Sequence, residues 1–191
     1  YGTEEQKNRY LSEIAAGKRM VTFAFIEPDG QFAPEDVQMA AVKVGDGYRL
    51  KGRKTVVPYG DAAQTFLVLA RTAPGGGEHG LSLFLVDKEN AAVSVRKLQN
   101  IDMTRDLAEV EFQDVVVPQE SWLGPEHDGW ALLQTGLKTY NVALCAAMVG
   151  GMSQAVDMSV EYAKTRHQFG QPIGRFQAVK HRIVDMKVDL E

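Results

Sequence analysis

The chain has 191 residues, 45% of them hydrophobic and 24% charged, which is typical of a soluble globular protein. Its net charge of -4, without any basic run, argues against a nucleic-acid partner. The single cysteine, Cys145, excludes a disulfide framework and is typical of the reducing cytoplasm, where we expect the protein to act. We find no apolar run of the ~20 residues that span a membrane, and no metal-ligand spacing among the histidines.

The N-terminal residues predict a short helix over Thr3–Ala16. Thr3 and Gln6 have the spacing of a capping box, and Gly17 closes the C-terminal end of the helix. A second helical pattern continues up to the last residue, Glu191, and we therefore expect the chain to be a piece of a longer protein.

The next hundred or so residues, about half of the chain, change to short β-type runs separated by turn signals. These runs are Met20–Ile26, Val37–Val44, Tyr48–Val57, Thr65–Arg71, Leu81–Val86, Val93–Leu98 and Ala108–Val117. Several short strands at this spacing favour a β-barrel or sandwich. The glycine run Gly75–Gly77 predicts a hairpin tip rather than a phosphate-binding loop, since no helix follows it.

From Gly129 to Arg166 the pattern predicts one long helix, roughly 55 Å in length at ~1.5 Å per residue. Its centre, Ala143–Gly151, is apolar and built of small residues, which lets neighbouring helices approach closely. We therefore expect this helix to lie centrally in a helical bundle. A second helix is predicted to begin near Arg175.

The segment between these two helices carries the most specific pattern in the chain. Residues 162–179 contain Arg-x-Gln-Phe-Gly, then Pro-Ile-Gly, then Phe-Gln-Ala. A plain helix–loop–helix corner explains the glycines and the proline, because they break one helix and begin the next. It does not explain the Arg-x-Gln-Phe before them or the Phe-Gln-Ala after them. The segment resembles the second-helix junction of the acyl-CoA dehydrogenase flavoenzymes, and we favour that interpretation.

The resemblance covers nearly the whole chain and includes three further segments, Gly2–Leu11, Gly47–Lys54 and Ala108–Pro118. It implies an α+β multi-domain fold, in which a β-barrel or sandwich middle domain is followed by the long helices of a C-terminal helical bundle. Residues 1–18 would then end an N-terminal helical domain, and residues 19–126 would form the middle β domain. Residues 127–191 would supply the first two helices of a four-helix domain.

The resemblance also assigns residues of the junction to a cofactor, FAD. In the family, the Arg, the Gln and the Phe reach across a dimer interface and hold the FAD of the neighbouring subunit. The resemblance therefore implies cofactor-binding roles for Arg166, Gln168, Phe169 and Gln177. An Arg guanidinium suits a pyrophosphate because it carries a fixed charge and several donors.

The first segment of the chain's own flavin site departs from the family pattern. Backbone groups of Phe25 and Ile26 would meet the flavin pyrimidine edge, but Ile26 replaces the Thr whose hydroxyl approaches the flavin in the family. Gln31 and Phe32 replace a Gly-Ser pair that contacts FAD phosphate and substrate, so Phe32 takes a substrate-facing position. A Gly→Gln change adds a side chain where the backbone needs to approach closely.

The second flavin segment, Lys54–Gly60, departs from the pattern as well. Val56 replaces the Trp that covers the flavin, and Pro58 replaces the Thr beside flavin N5. Proline supplies neither a hydroxyl nor a backbone N–H. We interpret Val56 and Val57 as ordinary strand residues.

We identify no catalytic residue in this chain. Most family members carry the carboxylate base at a position that would lie downstream of Glu191. A branched-chain and long-chain subset carries it at the start of the first long helix, where this chain has Tyr140 in place of the Glu and Asn141 in place of a substrate-facing Arg. Tyrosine is a poor base at neutral pH because its unperturbed pKa is about 10.

The resemblance implies α,β-dehydrogenation of an acyl-CoA thioester, in fatty-acid or steroid side-chain metabolism. It also implies an oligomer, such as a dimer of dimers, and electron-transfer flavoprotein as the acceptor. Because the residues that serve a neighbour are intact and the chain's own flavin residues are altered, we predict a non-catalytic subunit of a heteromeric acyl-CoA dehydrogenase. One alternative is an active homo-oligomeric enzyme with an atypical flavin pocket. Another is a flavin-free structural homologue, against which the retained Arg-x-Gln-Phe-Gly argues.

Overall fold

The structure, a computed structural model, describes residues 1–30 and 32–191. Gln31, which the sequence places in the first flavin segment, lies outside the described residues. The chain divides into two compact units, Tyr1–Gln134 and Thr135–Glu191. The domain boundaries expected near residues 18 and 126 stay predictions.

The first unit begins with the predicted helix, which has three parts: α1 (Glu4–Gln6), a π-helical turn (Lys7–Leu11) and α2 (Ser12–Ala15). Its capping box is present, because the Gln6 amide donates to Thr3 Oγ1 at 3.2 Å and the Thr3 amide donates to Gln6 Oε1 at 3.0 Å. The Gln6 amide side chain also donates to the carbonyls of Glu120 and Trp122, both at 2.8 Å. These bonds attach the helix to the residues that follow the last long strand.

The rest of the first unit contains one sheet of eight strands. They are β1 (Val21–Ala24), β2 (Ala40–Val44), β3 (Gly47–Pro58), β4 (Thr65–Arg71), β5 (Leu81–Asp87), β6 (Val93–Leu98), β7 (Leu107–Val117) and β8 (Trp122–Leu123). The main path has the order β6-β7-β3-β2-β4-β5-β8, and β1 pairs with β4 outside it. β1 and β2 are parallel to β4, whereas the other pairs are antiparallel. All seven predicted strands are present, and the mixed sheet followed by a long helix confirms the predicted fold class.

β2 is shorter than its sequence pattern predicts. It begins at Ala40 rather than at Val37. The backbone amides of Gln38 and Met39 donate to the Glu27 carboxylate, at 3.1 Å and 3.0 Å, rather than to a neighbouring strand. A buried amide needs one hydrogen-bond acceptor, and here a side chain supplies it.

The core of the first unit is formed by strand side chains, and β4 and β5 are buried at nearly every position. Fully buried members are Leu50, Val57, Phe66, Val68, Phe84, Val86, Val110, Phe112 and Val115. Each such apolar side chain contributes roughly 1.5–3 kcal/mol relative to an exposed position. One charged residue, Lys54, is buried among them.

The two long helices are α3 (Gly129–Thr165), which begins in the first unit, and α4 (Gln177–Leu190). Both agree with the predicted helices. Two short strands that the sequence did not predict lie between them, β9 (His167–Gln168) and β10 (Gln171–Pro172), which pair in antiparallel orientation. A 3-10 turn, Ile173–Arg175, leads into α4.

The apolar, small-residue centre of α3 is largely exposed in the described chain. By length and composition alone, α3 is also long and apolar enough to cross a membrane, although the sequence pattern predicts no membrane span. One such helix is weak evidence, because core helices of soluble proteins have the same length and composition. The expectation that α3 lies in a helical bundle stays a prediction.

We expect Gly47→Ala to destabilise the first unit by about 1–3 kcal/mol, because added volume in a closely packed site forces neighbouring atoms apart. A Cβ at Gly47 would lie 2.2 Å from the carbonyl oxygen of Val117. The matched control is Gly76→Ala at the hairpin tip, where a Cβ meets no atom within 4 Å. Thermal unfolding of the full-length variants measures the difference. Equal melting temperatures for Gly47→Ala and wild type would contradict the close packing.

Candidate functional site

Four residues expected to face a flavin come together in the first unit: Phe25, Ile26, Val56 and Pro58. The segment that follows β1 lies beside the second half of β3. The Thr55 amide donates to the Ile26 carbonyl at 2.8 Å, and the Thr22 hydroxyl donates to the Pro58 carbonyl. The structure therefore brings the two predicted flavin segments into contact, although they are some thirty residues apart.

The side chains of these four residues provide no hydrogen-bond donor. Three of their carbonyls already accept hydrogen bonds from the protein, because Phe25 receives one from Lys54 Nζ at 3.2 Å and Ile26 and Pro58 receive those described above. The surface that they form is therefore apolar, and its exposed atoms offer little to a polar ring edge.

Lys54 is the charged group of this region, and sequence reasoning missed it. It is fully buried, and its Nζ donates to Glu27 Oε1 at 2.8 Å as well as to the Phe25 carbonyl. Burial lowers the pKa of Lys54 to about 8, although the Glu27 carboxylate opposes that shift. The signal was present in the strand pattern, because Lys54 lies in the same inward-facing phase of β3 as Tyr48 and Leu50.

Glu27 and Arg71 fix the segment that connects β1 to β2. The Glu27 carboxylate accepts the Lys54 ammonium and the amides of Gln38 and Met39, so it joins both ends of the segment. Arg71 donates to backbone carbonyls of the same segment, at 2.8 Å from Pro34 and 3.0 Å from Val37. These charge-assisted hydrogen bonds hold residues 27 and 34–39 of the connection in place.

Phe32, the predicted substrate-facing residue, belongs to this fixed segment. Its ring centroid lies 6.4 Å from that of Phe25 and 5.6 Å from that of Trp130, at the start of α3. Phe25 in turn lies 5.2 Å from Phe23. The four rings form a continuous row, at separations typical of favourable aromatic pairs. Sequence reasoning could not predict that Trp130 takes part, since it is distant from the other three along the chain.

Val56 is not an ordinary strand residue, which corrects the interpretation made from the sequence. Its φ of 53° lies in the left-handed region, where a β-branched residue is a strong outlier. The pairing of β3 with β7 shifts register between Lys54 and Val57, so a β-bulge accompanies the strain. Val57, by contrast, is a buried strand residue paired with Ala108, as expected.

The residues expected to hold a neighbour's FAD lie in the second unit. Arg166 follows α3 directly, Gln168 belongs to β9, and Phe169 occupies the turn between β9 and β10. Gln177 is the first residue of α4. All four side chains are exposed or half-exposed, and within the described part of the chain the Arg166 guanidinium has no carboxylate within ion-pair distance.

Phe169 has an unusual conformation for an exposed aromatic residue. Its side chain is 92% exposed, and its φ of 50° lies in the left-handed region. Its only ring contact among the described residues is an edge-to-face arrangement with Phe176, at 6.1 Å. A strained backbone that presents an exposed ring is typical of a binding segment.

Tyr140 and Asn141, the other predicted substrate-binding residues, are exposed side chains of α3. They also belong to the second unit, so the structure describes them apart from Phe32 in the first. Their substrate-binding role stays a prediction.

The chain matches two family descriptions in succession. Residues 22–115 match the acyl-CoA dehydrogenase middle domain, and residues 127–191 match the acyl-CoA dehydrogenase C-terminal domain. The chain belongs to the acyl-CoA dehydrogenase family.

Individual relatives agree with this assignment. The chain is 34% identical to the L-prolyl-[peptidyl-carrier protein] dehydrogenase of a Serratia species, over 100% of this chain and 50% of the relative. The solved structure of butyryl-CoA dehydrogenase from Megasphaera elsdenii is 31% identical, with a TM-score of 0.95 over 100% of this chain and 50% of that one. The FAD complex of PigA is 33% identical, with a TM-score of 0.92 and the same coverage. The chain spans about half the length of the curated relatives it matches.

The two groups of candidate residues differ in how well they suit FAD. Arg166 and Gln168 offer exposed donors, one of them cationic, and Phe169 offers an exposed ring, which fits a pyrophosphate and a planar ring system. The candidate flavin residues of the first unit, Phe25, Ile26, Val56 and Pro58, suit FAD less well. Their side chains lack donors, and their carbonyls are engaged internally.

We expect the free energy of unfolding to rise between about pH 8 and about pH 10.5, through the titration of Lys54. In this window the folded protein has released the Lys54 proton, whereas the unfolded chain still binds it, so increasing pH favours the folded state. The full effect is about 3 kcal/mol. Denaturant unfolding across this pH range measures it.

The variant Lys54→Met should remove this rise, because methionine does not titrate. Lys51→Met is the control, since Lys51 is an exposed lysine of the same strand and its removal should leave the rise intact. The assignment to Lys54 would be wrong if both variants kept the wild-type pH dependence.

Proposed function

We propose that the protein is a subunit of an FAD-dependent dehydrogenase that acts on acyl-CoA thioesters, and that it completes the FAD site of a partner subunit. The observation that carries this proposal is the contrast between the two groups of candidate residues. The donors of the second unit are exposed and available, whereas the candidate flavin residues of the first unit are apolar and internally bonded.

Arg166 is the central residue of the proposed role. Its side chain is exposed and lies in a hairpin whose backbone is ordered by two bonds, from the Arg166 amide to the Tyr162 carbonyl and from the Ile173 amide to the Arg166 carbonyl, both at 2.8 Å. The backbone position is therefore fixed, while the guanidinium remains able to bind an anion. A bidentate guanidinium–phosphate contact is among the stronger polar interactions in proteins.

Phe169 supports the same role through its exposed ring. The two-residue turn between β9 and β10 holds its backbone at a φ of 50°, which costs of the order of 1–3 kcal/mol, and its side chain is 92% exposed. Contact with a bound cofactor would bury the ring.

The proposed reaction removes two hydrogens from the α and β carbons of the thioester. When bound, FAD supplies the acceptor of the β hydride. The residues of this chain bind and orient the cofactor, and we assign no proton transfer to them. We propose electron-transfer flavoprotein as the electron acceptor and the cytoplasm as the location.

A second substrate class follows from the similarity to L-prolyl-[peptidyl-carrier protein] dehydrogenase. That protein's name refers to a thioester on a carrier protein rather than on coenzyme A. We therefore propose carrier-protein thioesters as the second class to assay with the purified complex.

The FAD content of the full-length protein, purified from its native host, tests the proposal. We expect about one FAD for every two related chains, with a second family member identified by mass spectrometry in the same complex. One FAD for each copy of this chain in a homo-oligomer would instead establish the active homo-oligomeric enzyme. Absence of flavin from every complex that contains the chain would establish the structural homologue.

We expect Arg166→Ala to weaken FAD binding to the complex by about 10- to 100-fold, because a charge-assisted contact is lost. Arg166→Lys should recover only part of this affinity, since an ammonium lacks the bidentate geometry. Equilibrium dialysis of the complex measures both.

Phe169→Gly separates binding from stability. Glycine relieves the strain at φ 50°, so the melting temperature should stay equal or rise, while FAD affinity falls because the ring is absent. A lower melting temperature with unchanged FAD affinity would show that Phe169 has a structural role only.

A further inference from the structure

The aromatic row of the first unit stands where the candidate flavin residues of this chain lie. It consists of Phe23, Phe25, Phe32 and Trp130. Phe32 is the connecting member, since its ring contacts both Phe25 and Trp130. Trp130 is almost fully buried, whereas Phe32 is 46% exposed, so Phe32 is the ring at the surface of this part of the row.

Charged groups bind the chain both before and after Phe32. Before it, Glu27 is bonded to the buried Lys54 ammonium and to the amides of Gln38 and Met39. After it, Arg71 is bonded to carbonyls within residues 34–37. These charge-assisted hydrogen bonds hold the backbone near Phe32, at residues 27 and 34–39.

We propose that Phe32 is one of the residues that block flavin binding to this chain's own site, and that its removal alone restores measurable affinity. The Phe32 ring lies 6.4 Å from the Phe25 ring and carries no hydrogen-bond donor, so a planar cofactor with a polar edge would meet an apolar ring beside the candidate surface. The inference rests on the proposed function, and it names one residue by which this chain differs from a subunit that binds its own FAD.

The test uses the full-length protein in complex with its partner, with the partner-completed FAD site already filled. Further FAD is added, and binding to a second site is followed by equilibrium dialysis and by the visible absorption spectrum of the bound flavin. We expect no saturable second site in the wild type. Phe32→Ser should create one, with an apparent affinity at least about tenfold above the wild-type background.

Two control variants test whether a gain in FAD binding depends on the ring at position 32 or on the loss of any exposed ring. Phe32→Tyr keeps the ring, and Phe23→Ser removes a ring of equal exposure, 47%, that does not contact Trp130. Both should behave as the wild type. Phe32→Leu removes the planar ring but keeps an apolar side chain, so it serves where Phe32→Ser does not fold, and it should also open the second site.

The outcomes separate the inference from the proposed function. If neither Phe32→Ser nor Phe32→Leu gains a second FAD, while Arg166→Ala still loses the first, the inference is overturned and the proposed function stands. If the wild type already holds one FAD on each copy of this chain, the proposed function fails. A gain in Phe23→Ser equal to that in Phe32→Ser would also overturn the specific role of Phe32.

Discussion

The buried ion pair of Lys54 and Glu27 is the interaction on which the first unit depends. An ammonium removed from water requires compensating partners, and here it has a carboxylate and a backbone carbonyl. The carboxylate is in turn bound by two amides at the start of β2. One pair of charges therefore joins the end of β1, the middle of β3 and the beginning of β2. These are the chain segments that would form a flavin surface, and the same pair fixes the segment that carries Phe32.

The two units satisfy their polar groups in opposite ways. In the first unit three carbonyls beside the candidate flavin surface accept hydrogen bonds from the protein. In the second unit the side chains of Arg166 and Gln168 are exposed. The two-residue turn between β9 and β10 holds Phe169 at a positive φ and leaves its ring 92% exposed. This difference favours a chain that contributes to a neighbour's cofactor rather than one that binds its own.

Local patterns predicted most of the fold. Short β-type runs between turn signals located the seven predicted strands, and the helical period located both long helices, because each signal is contained within one element. The junction motif was equally accessible, since Arg166, Gln168 and Phe169 lie within one short segment. The β-bulge at Val56 was not accessible, because it depends on how β3 pairs with β7, some fifty residues later in the chain. For the same reason the sequence did not show that Glu27 accepts the amides of Gln38 and Met39, or that Phe32 contacts Trp130.

The departures from the family pattern leave the fold intact for a physical reason. The hydrogen bonds that hold Ile26 and Pro58 in place are accepted by their backbone carbonyls. Every residue type carries a backbone carbonyl, so these bonds form whatever side chain is present. Binding a flavin needs more than these carbonyls, because it needs donors and open space at the same surface. Ile26 and Pro58 remove side-chain donors, and Phe32 fills space between Phe25 and Trp130. High structural similarity to the FAD complex of PigA is therefore compatible with the proposed role, since the similarity describes the backbone and the proposed role depends on these few side chains.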